Sequence, residues 1–379
     1  MPETPAQQLR QAFDRQIEWC VRLASPFMAQ LLAVSRDRIA GDGALSQRLL
    51  DLVPAPGPGL IALRWAGALH DLALSGREPF ASLWPSMRGD LAGDLPPVSD
   101  AQIADAVEQA IADEWPHMLS FLASAPQTNE VRRGAALLPG WLHIAARTGL
   151  PLALIEIGAS AGLNLWADRW HHEHGAWRWS GAATEVLISS EWRGALPPQP
   201  SLSITSRQGC DLAPLDIADA RQRRRLAAYV WTDQPERLAL LRAALASAAV
   251  WHAEAGLGIA AADAGDYLER ELRLPREGCT TVVYHSIVWQ YLTAPQRERA
   301  QAAIEAAGAR ATPSAPLAWL SYEFRTADEP AQLRCRIWPG LGAGAGPGAS
   351  ADAGSASSDE ILATVHPHCA WVHWSEPAA

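Results

Sequence analysis

Residues 152–165 read Leu152-Ala-Leu-Ile-Glu-Ile-Gly-Ala-Ser-Ala-Gly-Leu-Asn-Leu165, and this stretch decides the fold. A short apolar run with no polar alternation is the mark of a strand buried on both faces, as in the centre of a parallel sheet. The small residues from Gly158 to Gly162 fall where such a strand reverses sharply and where a side chain would keep a ligand from the backbone. A helix is expected directly after the turn, its free N–H groups open to an anionic or polar group, with the Asn164 amide beside them.

Downstream the same texture recurs. Leu202 to Thr205, Gly258 to Ala262, Thr280 to His285 and Leu317 to Tyr322 read as strands, with helical segments Pro235 to Ala249 and Pro295 to Ala307 among them. Strands alternating with helices imply a parallel sheet wound with helices. Leu333 to Trp338 and Ile361 to Trp374 read as two closing strands. The joint between them, 340–358, is nearly all Gly, Ala, Ser and Pro and is expected to be disordered, because it has too little apolar surface to order itself.

Upstream, 1–150 reads as helix without a strand signal. Phe13, Ile17, Val21 and Ala24 recur at helical spacing, and Ser99 with Gln102 makes a capping box ahead of Ile103, Val107 and Ile111. Proline-rich breaks at Pro54 to Gly59 and Pro96 to Pro97 divide the region into three or four helical units. The expected fold class is therefore α/β: an N-terminal helical subdomain, 1–150, then a Rossmann-like, mostly parallel sheet of about seven strands with helices on both faces, 151–379.

Composition excludes several chemistries. The 379 residues carry a formal charge of −10 and contain no lysine. A Walker A loop and a pyridoxal-phosphate Schiff base both need that lysine. An acidic chain lacks the broad positive surface that nucleic acid or an anionic membrane would need, so the expected partner is a small molecule. The five cysteines are scattered, with no C-x-x-C pair, and read as reduced, buried thiols. Neither a signal peptide nor an apolar run of membrane-spanning length is visible, so a cytoplasmic protein is expected. Oligomeric state is not legible.

The Gly-rich turn resembles the E/D-x-G-x-G-x-G motif of class I S-adenosylmethionine (SAM) dependent methyltransferases, with Ser160 in place of the middle glycine. The resemblance implies a cofactor turn made by Glu156, Gly158, Ser160, Gly162 and Asn164. It implies that Asp211, in Gln208-Gly-Cys-Asp211, holds the ribose hydroxyls, and that Asp263 faces the adenine. It places His285, at the end of the fourth strand, by the methyl-transfer site, and it calls for a closing hairpin at the sheet edge. With the phrases QTNEVRRGAALLPG, EIGASAGLNL, GCDLAPLD and HSIVWQYL, the chain is similar to a bacterial family of unknown function with a methyltransferase-like fold. The expected activity is methyl transfer to a small molecule with SAM as cofactor. Its chief departures are Ser160 and the long Trp- and His-rich connection through 166–192, where short connections are usual.

Other readings stand beside this one. Gly158 to Gly162 also spells G-x-S-x-G, a hydrolase nucleophile elbow, with Ser160 as nucleophile, Asp263 as orienter and His366, His368 or His373 as base. A non-catalytic ligand sensor on the same fold is the third reading. His285 is read either as a base or as a hydrogen-bonded strand-end residue that shapes the pocket. His171-His-Glu-His174 and the group His366, His368, Cys369 and His373 lack standard zinc spacing, and no metal is expected. Arg221 to Arg225 reads as a solvated helix face. Of the seventeen tryptophans, Trp166, Trp170, Trp177, Trp179 and Trp192 are candidates for an aromatic pocket, the rest for core. The polar run Gln127 to Glu130 is expected to face the same cleft.

Overall fold

The computed structural model describes residues 3–55, 57, 59–88, 97–182, 184–326, 329–339 and 359–375. The joint 340–358 lies outside the described residues. The chain forms two compact units, one of Met1–Thr128 with Ala218–Arg242, the other of Asn129–Ile217 with Ala243–Ala379. No helix among the described residues is long and apolar enough to cross a membrane.

The first unit is helical. It contains α1 (Pro5–Arg22), α2 (Pro26–Ala40), α3 (Gly43–Leu52), α4 (Ile61–Leu74), the short α5 (Phe80–Leu83) and α6 (Pro85–Arg88), α7 (Asp100–Asp113), α8 (Trp115–Leu122), α10 (Ala220–Ala228) and the start of α11 (Pro235–Ala255). This is a finer division than the proline breaks suggest. Ser99 and Gln102 do close a capping box on α7, and Thr4 with Gln7 closes another on α1. The buried face of α1 differs from the expected one: Leu9, Phe13 and Cys20 are in the core, Val21 is 65% exposed and Ala24 lies beyond the helix end. Phe13, Trp65, Trp84, Phe121 and Tyr229 share one apolar core. Arg221 to Arg225 is not simply a solvated face. The Arg224 guanidinium pairs with buried Asp71 at 2.8 Å, and Arg225 stacks over the Phe121 ring at 4.2 Å. His70 on α4 is buried, its Nδ1 donating to the Ala228 carbonyl and its Nε2 accepting from the Ser86 hydroxyl. Burial pushes its pKa down to about 4.

The second unit is built on strands β1 (Leu152–Ile157), β2 (His171–His174), β3 (Trp177–Trp179), β4 (Leu187–Ser189), β5 (Glu191–Gly194), β6 (Ile204–Asp211), β7 (Ala260–Ala261), β8 (Thr280–Ser286), β9 (Leu317–Glu323), β10 (Ala331–Trp338), β11 (Glu360–Val365) and β12 (Trp371–Trp374). Nine of them form one mostly parallel sheet in the order β5-β12-β11-β10-β9-β8-β1-β6-β7, and β3-β2-β4 form a small second sheet. The pairs from β7 through to β9 are parallel; β10, β11 and β12 add antiparallel. The expected seven strands become nine because Ile361 to Trp374 breaks into two strands and β5 adds a parallel outer edge.

Strand β1 sits between β6 and β8 and every one of its residues is buried, which is why it reads as an unbroken apolar run. Side chains alternate between the two faces. Ile155, Ile157 and Val283 pack with α12 (Ala264–Glu271) and α13 (Ala294–Gly308) on one side. On the other lies α9 (Gly134–Thr148), close enough that a Cβ on Gly140 would stand 2.8 Å from Leu320. There Trp141 meets Tyr284 edge-on at 5.5 Å, a geometry worth ~0.5–1.5 kcal/mol beyond burial.

Candidate functional site

Strand order reverses at β1, since β6 and β7 extend the sheet to one side while β8 and β9 extend it to the other. In open α/β sheets ligands collect outside the carboxyl ends of the strands at such a point. The turn after β1 stands there.

Its backbone is left-handed at alternate positions: φ is +67° at Gly158, +52° at Ser160 and +72° at Gly162. Glycine adopts this conformation freely, whereas a residue with a Cβ is strained in it, so Ser160 occupies a position whose backbone favours glycine. The turn is tied to the next strand. Ala159 N–H donates to the Cys210 carbonyl at 3.0 Å, Ser160 N–H to one Asp211 carboxylate oxygen at 2.9 Å, and Leu215 N–H to the Ser160 carbonyl at 3.1 Å. The other Asp211 oxygen accepts from Ala213 N–H at 2.9 Å. Asp211 thus lies inside the strand end, not after it, and acts as a clamp. A Cβ at Gly158 would collide with the Val288 side chain.

After the turn comes a 3₁₀ helix, Leu163–Arg169, where an α-helix is expected. The chain must enter β2 at His171, and the short, tight helix ends in time for that. Leu163 N–H finds its acceptor in the Asn129 side chain at 3.0 Å, so the polar run Gln127 to Glu130 does supply a residue to this turn. At this turn two polar atoms are buried without a hydrogen-bond partner among the described residues, Ser160 Oγ and Asn164 Oδ1.

Glu156 is 1% exposed at the end of β1. Its carboxyl accepts the Tyr284 hydroxyl at 3.2 Å. Burial pushes its pKa up to about 8, helped by the nearby Asp211 charge and opposed by the Tyr284 and Asn164 hydrogen bonds and by Arg133. Arg133 is itself buried, donating to the Ser286 carbonyl at 2.7 Å, with its Nε unpartnered among the described residues. The sequence reading assigned no role to Arg133 or Tyr284; Arg133 lies within the quoted phrase QTNEVRRG, but its partner is 153 residues away.

His285 is buried and has both ring nitrogens engaged. Trp319 N–H donates to Nε2 at 3.0 Å, which leaves the proton on Nδ1 to be donated to Glu323 at 2.7 Å. The same Glu323 oxygen accepts from Val288 N–H at 3.0 Å and Trp289 N–H at 3.2 Å, and the imidazole stacks on Trp289 at 4.4 Å. This is the arrangement of a positioning residue that fixes the loop after β8. Asp263 caps α12 through Gly265 N–H at 2.9 Å and accepts Gln296 on its other oxygen at 2.8 Å.

The late histidines of the hydrolase reading are not near Ser160. His373 is on β12 and His366 follows β11, strands five and four places from β1 respectively. His366 Nδ1 caps its own turn, accepting from His368 N–H at 3.1 Å. The histidine that does reach the Gly-rich turn is His252 on α11, whose Cε1 lies 3.4 Å from the Cβ position of Gly162 and whose Nε2 is buried without a partner among the described residues. In β2, His172 and His174 point inward, and His174 stacks on Trp177 at 4.9 Å and 9°. All five cysteines are free and buried.

No curated protein and no solved structure matches the chain. Residues 10–374 match the family described as "Uncharacterized protein conserved in bacteria (DUF2332)", and the chain belongs to that family.

Proposed function

We propose that the crevice outside β1, β6 and β8 binds a nucleotide cofactor of the SAM type and that the protein is a methyltransferase for a small molecule. The observation that carries this reading is the pair of buried, unpartnered oxygens, Ser160 Oγ and Asn164 Oδ1, on a left-handed turn at the point where strand order reverses. Such atoms cost free energy unless a ligand or water completes them.

The residues fit the group in part. Ser160 and Asn164 offer hydrogen bonds. The Asp211 carboxylate, held by the Ser160 and Ala213 N–H groups, is the acidic group at the turn that ribose hydroxyls would meet. Gly158 serves a different end, because its open side is filled by Val288. When bound, SAM supplies an electrophilic methyl group; the chain contributes orientation and exclusion of water. Glu156, protonated near neutral pH, would line the crevice without a charge, and Glu323 would hold His285 and the loop after β8 in place.

The decisive experiment is native mass spectrometry of freshly purified protein together with thermal melts in SAM and S-adenosylhomocysteine. A bound nucleotide or a raised melting temperature supports the reading, since a ligand of the folded state stabilises it by mass action. An unmoved melting curve at saturating nucleotide, with no adduct, removes it. One observation favours the hydrolase alternative, the strained φ of Ser160 between a strand and a helical turn, as in a nucleophile elbow.

A further inference from the structure

Arginine is seldom buried unless its charge is paired. Arg133 is 8% exposed, and among the described residues no carboxylate stands within ion-pair distance of it. It closes the 3₁₀ turn Val131–Arg133 that leads into α9. The start of that turn has its acid already, since the Glu130 carboxylate accepts from Arg132 N–H at 3.2 Å. The Arg133 guanidinium reaches the sheet instead, where Nη1 donates to the Ser286 carbonyl at 2.7 Å and to the Ser286 hydroxyl at 3.3 Å. Ser286 ends β8, beside Tyr322 of β9 and one step beyond His285, which pairs with Ile157. The cation therefore stands at the carboxyl ends of the strands, on the side of β1 away from β6 and Asp211.

Its charge opposes the rise that burial gives the pKa of Glu156, Tyr322 and Cys369, three buried groups that lie around it. None of them pairs with it. Glu156 accepts the Tyr284 hydroxyl, and the Tyr322 hydroxyl donates to the His366 carbonyl at 2.7 Å. Only Nη1 is spent. Nε is buried without a partner, and Nη2 makes no hydrogen bond among the described residues. These two nitrogens share one edge of the planar group, the edge that takes both oxygens of a carboxylate side-on. The Ser286 hydroxyl accepts from Nη1 and keeps its own proton to donate nearby. The charge count selects a monoanion. Glu130 acts on the same Tyr322 and Cys369, and Glu323 follows Tyr322 on β9. One guanidinium among these acids balances a single negative charge, whereas a dianion would set a second one against them where little water screens it.

We propose that the second molecule in the crevice, the methyl acceptor, is a small monocarboxylate whose carboxylate lies on the Nε–Nη2 edge of Arg133. Calling it an acceptor rests on the methyltransferase reading above, whereas the carboxylate site stands on Arg133 alone. A nucleotide whose ribose meets Asp211 takes the β6 side of the crevice, and the acid takes the β8 side.

Ligand-observed NMR titration of the full-length protein tests this with propionate, benzoate and 3-phenylpropionate, each beside its own primary amide, and with inorganic phosphate as the dianion. At least one acid should bind at least about tenfold more tightly than its amide, the scale of one charge-assisted hydrogen bond, and more tightly than phosphate. This comparison uses the parent protein and so holds whether or not a variant at a buried position folds. Arg133→Lys keeps the charge without the fork and, with its near-UV circular dichroism intact, should lose most of the preference for acid over amide. No acid favoured over its amide, phosphate favoured over the acids, or an undiminished preference in folded Arg133→Lys overturns the proposal. The titrations are repeated with S-adenosylhomocysteine as the probe. If Arg133→Lys weakens this nucleotide and leaves the acids untouched, the guanidinium serves the nucleotide's own carboxylate and the proposal falls. If the nucleotide fails to bind while the acids keep their dependence on Arg133, the carboxylate site is supported and the methyltransferase reading is removed.

Discussion

The backbone N–H of Ser160 donates to the carboxylate of Asp211 across 2.9 Å, so the turn after β1 is fastened to the end of β6 by a residue 51 positions away. Removing that carboxylate leaves the N–H groups of Ser160 and Ala213 without their acceptor. Asp211→Ala should therefore cost about 1–3 kcal/mol in urea unfolding, mainly from the orphaned Ser160 N–H, since the exposed Ala213 N–H can turn to water. Asp211→Asn keeps one oxygen and should lose less. If the crevice holds a nucleotide, Asp211→Ala should also lose the thermal shift produced by S-adenosylhomocysteine. A variant as stable as the parent would show that the clamp contributes nothing.

At Ser160 the backbone and the side chain make separate demands. The φ of +52° penalises a Cβ by ~1–2 kcal/mol, and the hydroxyl is buried with no partner. Ser160→Gly relieves both, against a gain in unfolded-chain entropy of ~0.4–1 kcal/mol, so a net stabilisation of about 1 kcal/mol is expected. Ser160→Ala relieves only the hydroxyl and should gain less. In the same proteins a fluorophosphonate probe reads the hydrolase alternative: stoichiometric labelling of the parent at Ser160, lost in Ser160→Ala, would put that activity first.

The parts of the fold that sequence shows are those whose burial is carried by local pattern. Strands β1, β8 and β9 are apolar runs with clear ends, and Ser99 with Gln102 is a complete cap within four residues. Strands β2 to β5 were not legible. His171-His-Glu-His174 has no apolar alternation, and its inward faces are imidazoles whose burial depends on stacking with Trp177. The 3₁₀ helix after the turn is a tertiary effect, set by where β2 must begin, and local propensity yields to it. Asn129 and Arg133 reach the site through partners 34 and 153 residues distant, and such pairings leave no trace in spacing. The departure at Ser160 is visible in sequence, but its meaning, a strained left-handed residue, belongs to the backbone.

Acid should weaken the helical unit through His70. Its pKa is pushed from the ordinary 6.5 down to about 4 by burial. Between those values the unfolded chain binds a proton that the folded protein excludes, so the stability this site contributes is complete above about pH 6.5 and is lost as pH falls through 4. His70→Gln keeps a neutral hydrogen-bonding side chain and should flatten that part of the stability profile. An equally steep acid limb in the variant would assign the effect to other groups, among them buried His172 and His174, whose pKa values are lowered to about 3 and about 4.

Glu156 gives the opposite sign and the sharpest test of the crevice. Burial raises its pKa from 4.5 in the ordinary state to about 8, so across that window the folded protein holds a proton that the unfolded chain has released. Stability from this group is complete below about pH 4.5 and is lost as pH rises through 8, with a slope approaching ~1.4 kcal/mol per pH unit. Glu156→Gln replaces the protonated carboxyl with a neutral group of the same shape that can still accept the Tyr284 hydroxyl. It should match the parent near pH 5, exceed it above pH 8, and remove most of the slope between. Urea midpoints measured from pH 5 to 9 for the two proteins read this directly. Parallel profiles across the window would mean that Glu156 is ionised in the folded protein, and the crevice would then carry a negative charge where a neutral wall is proposed.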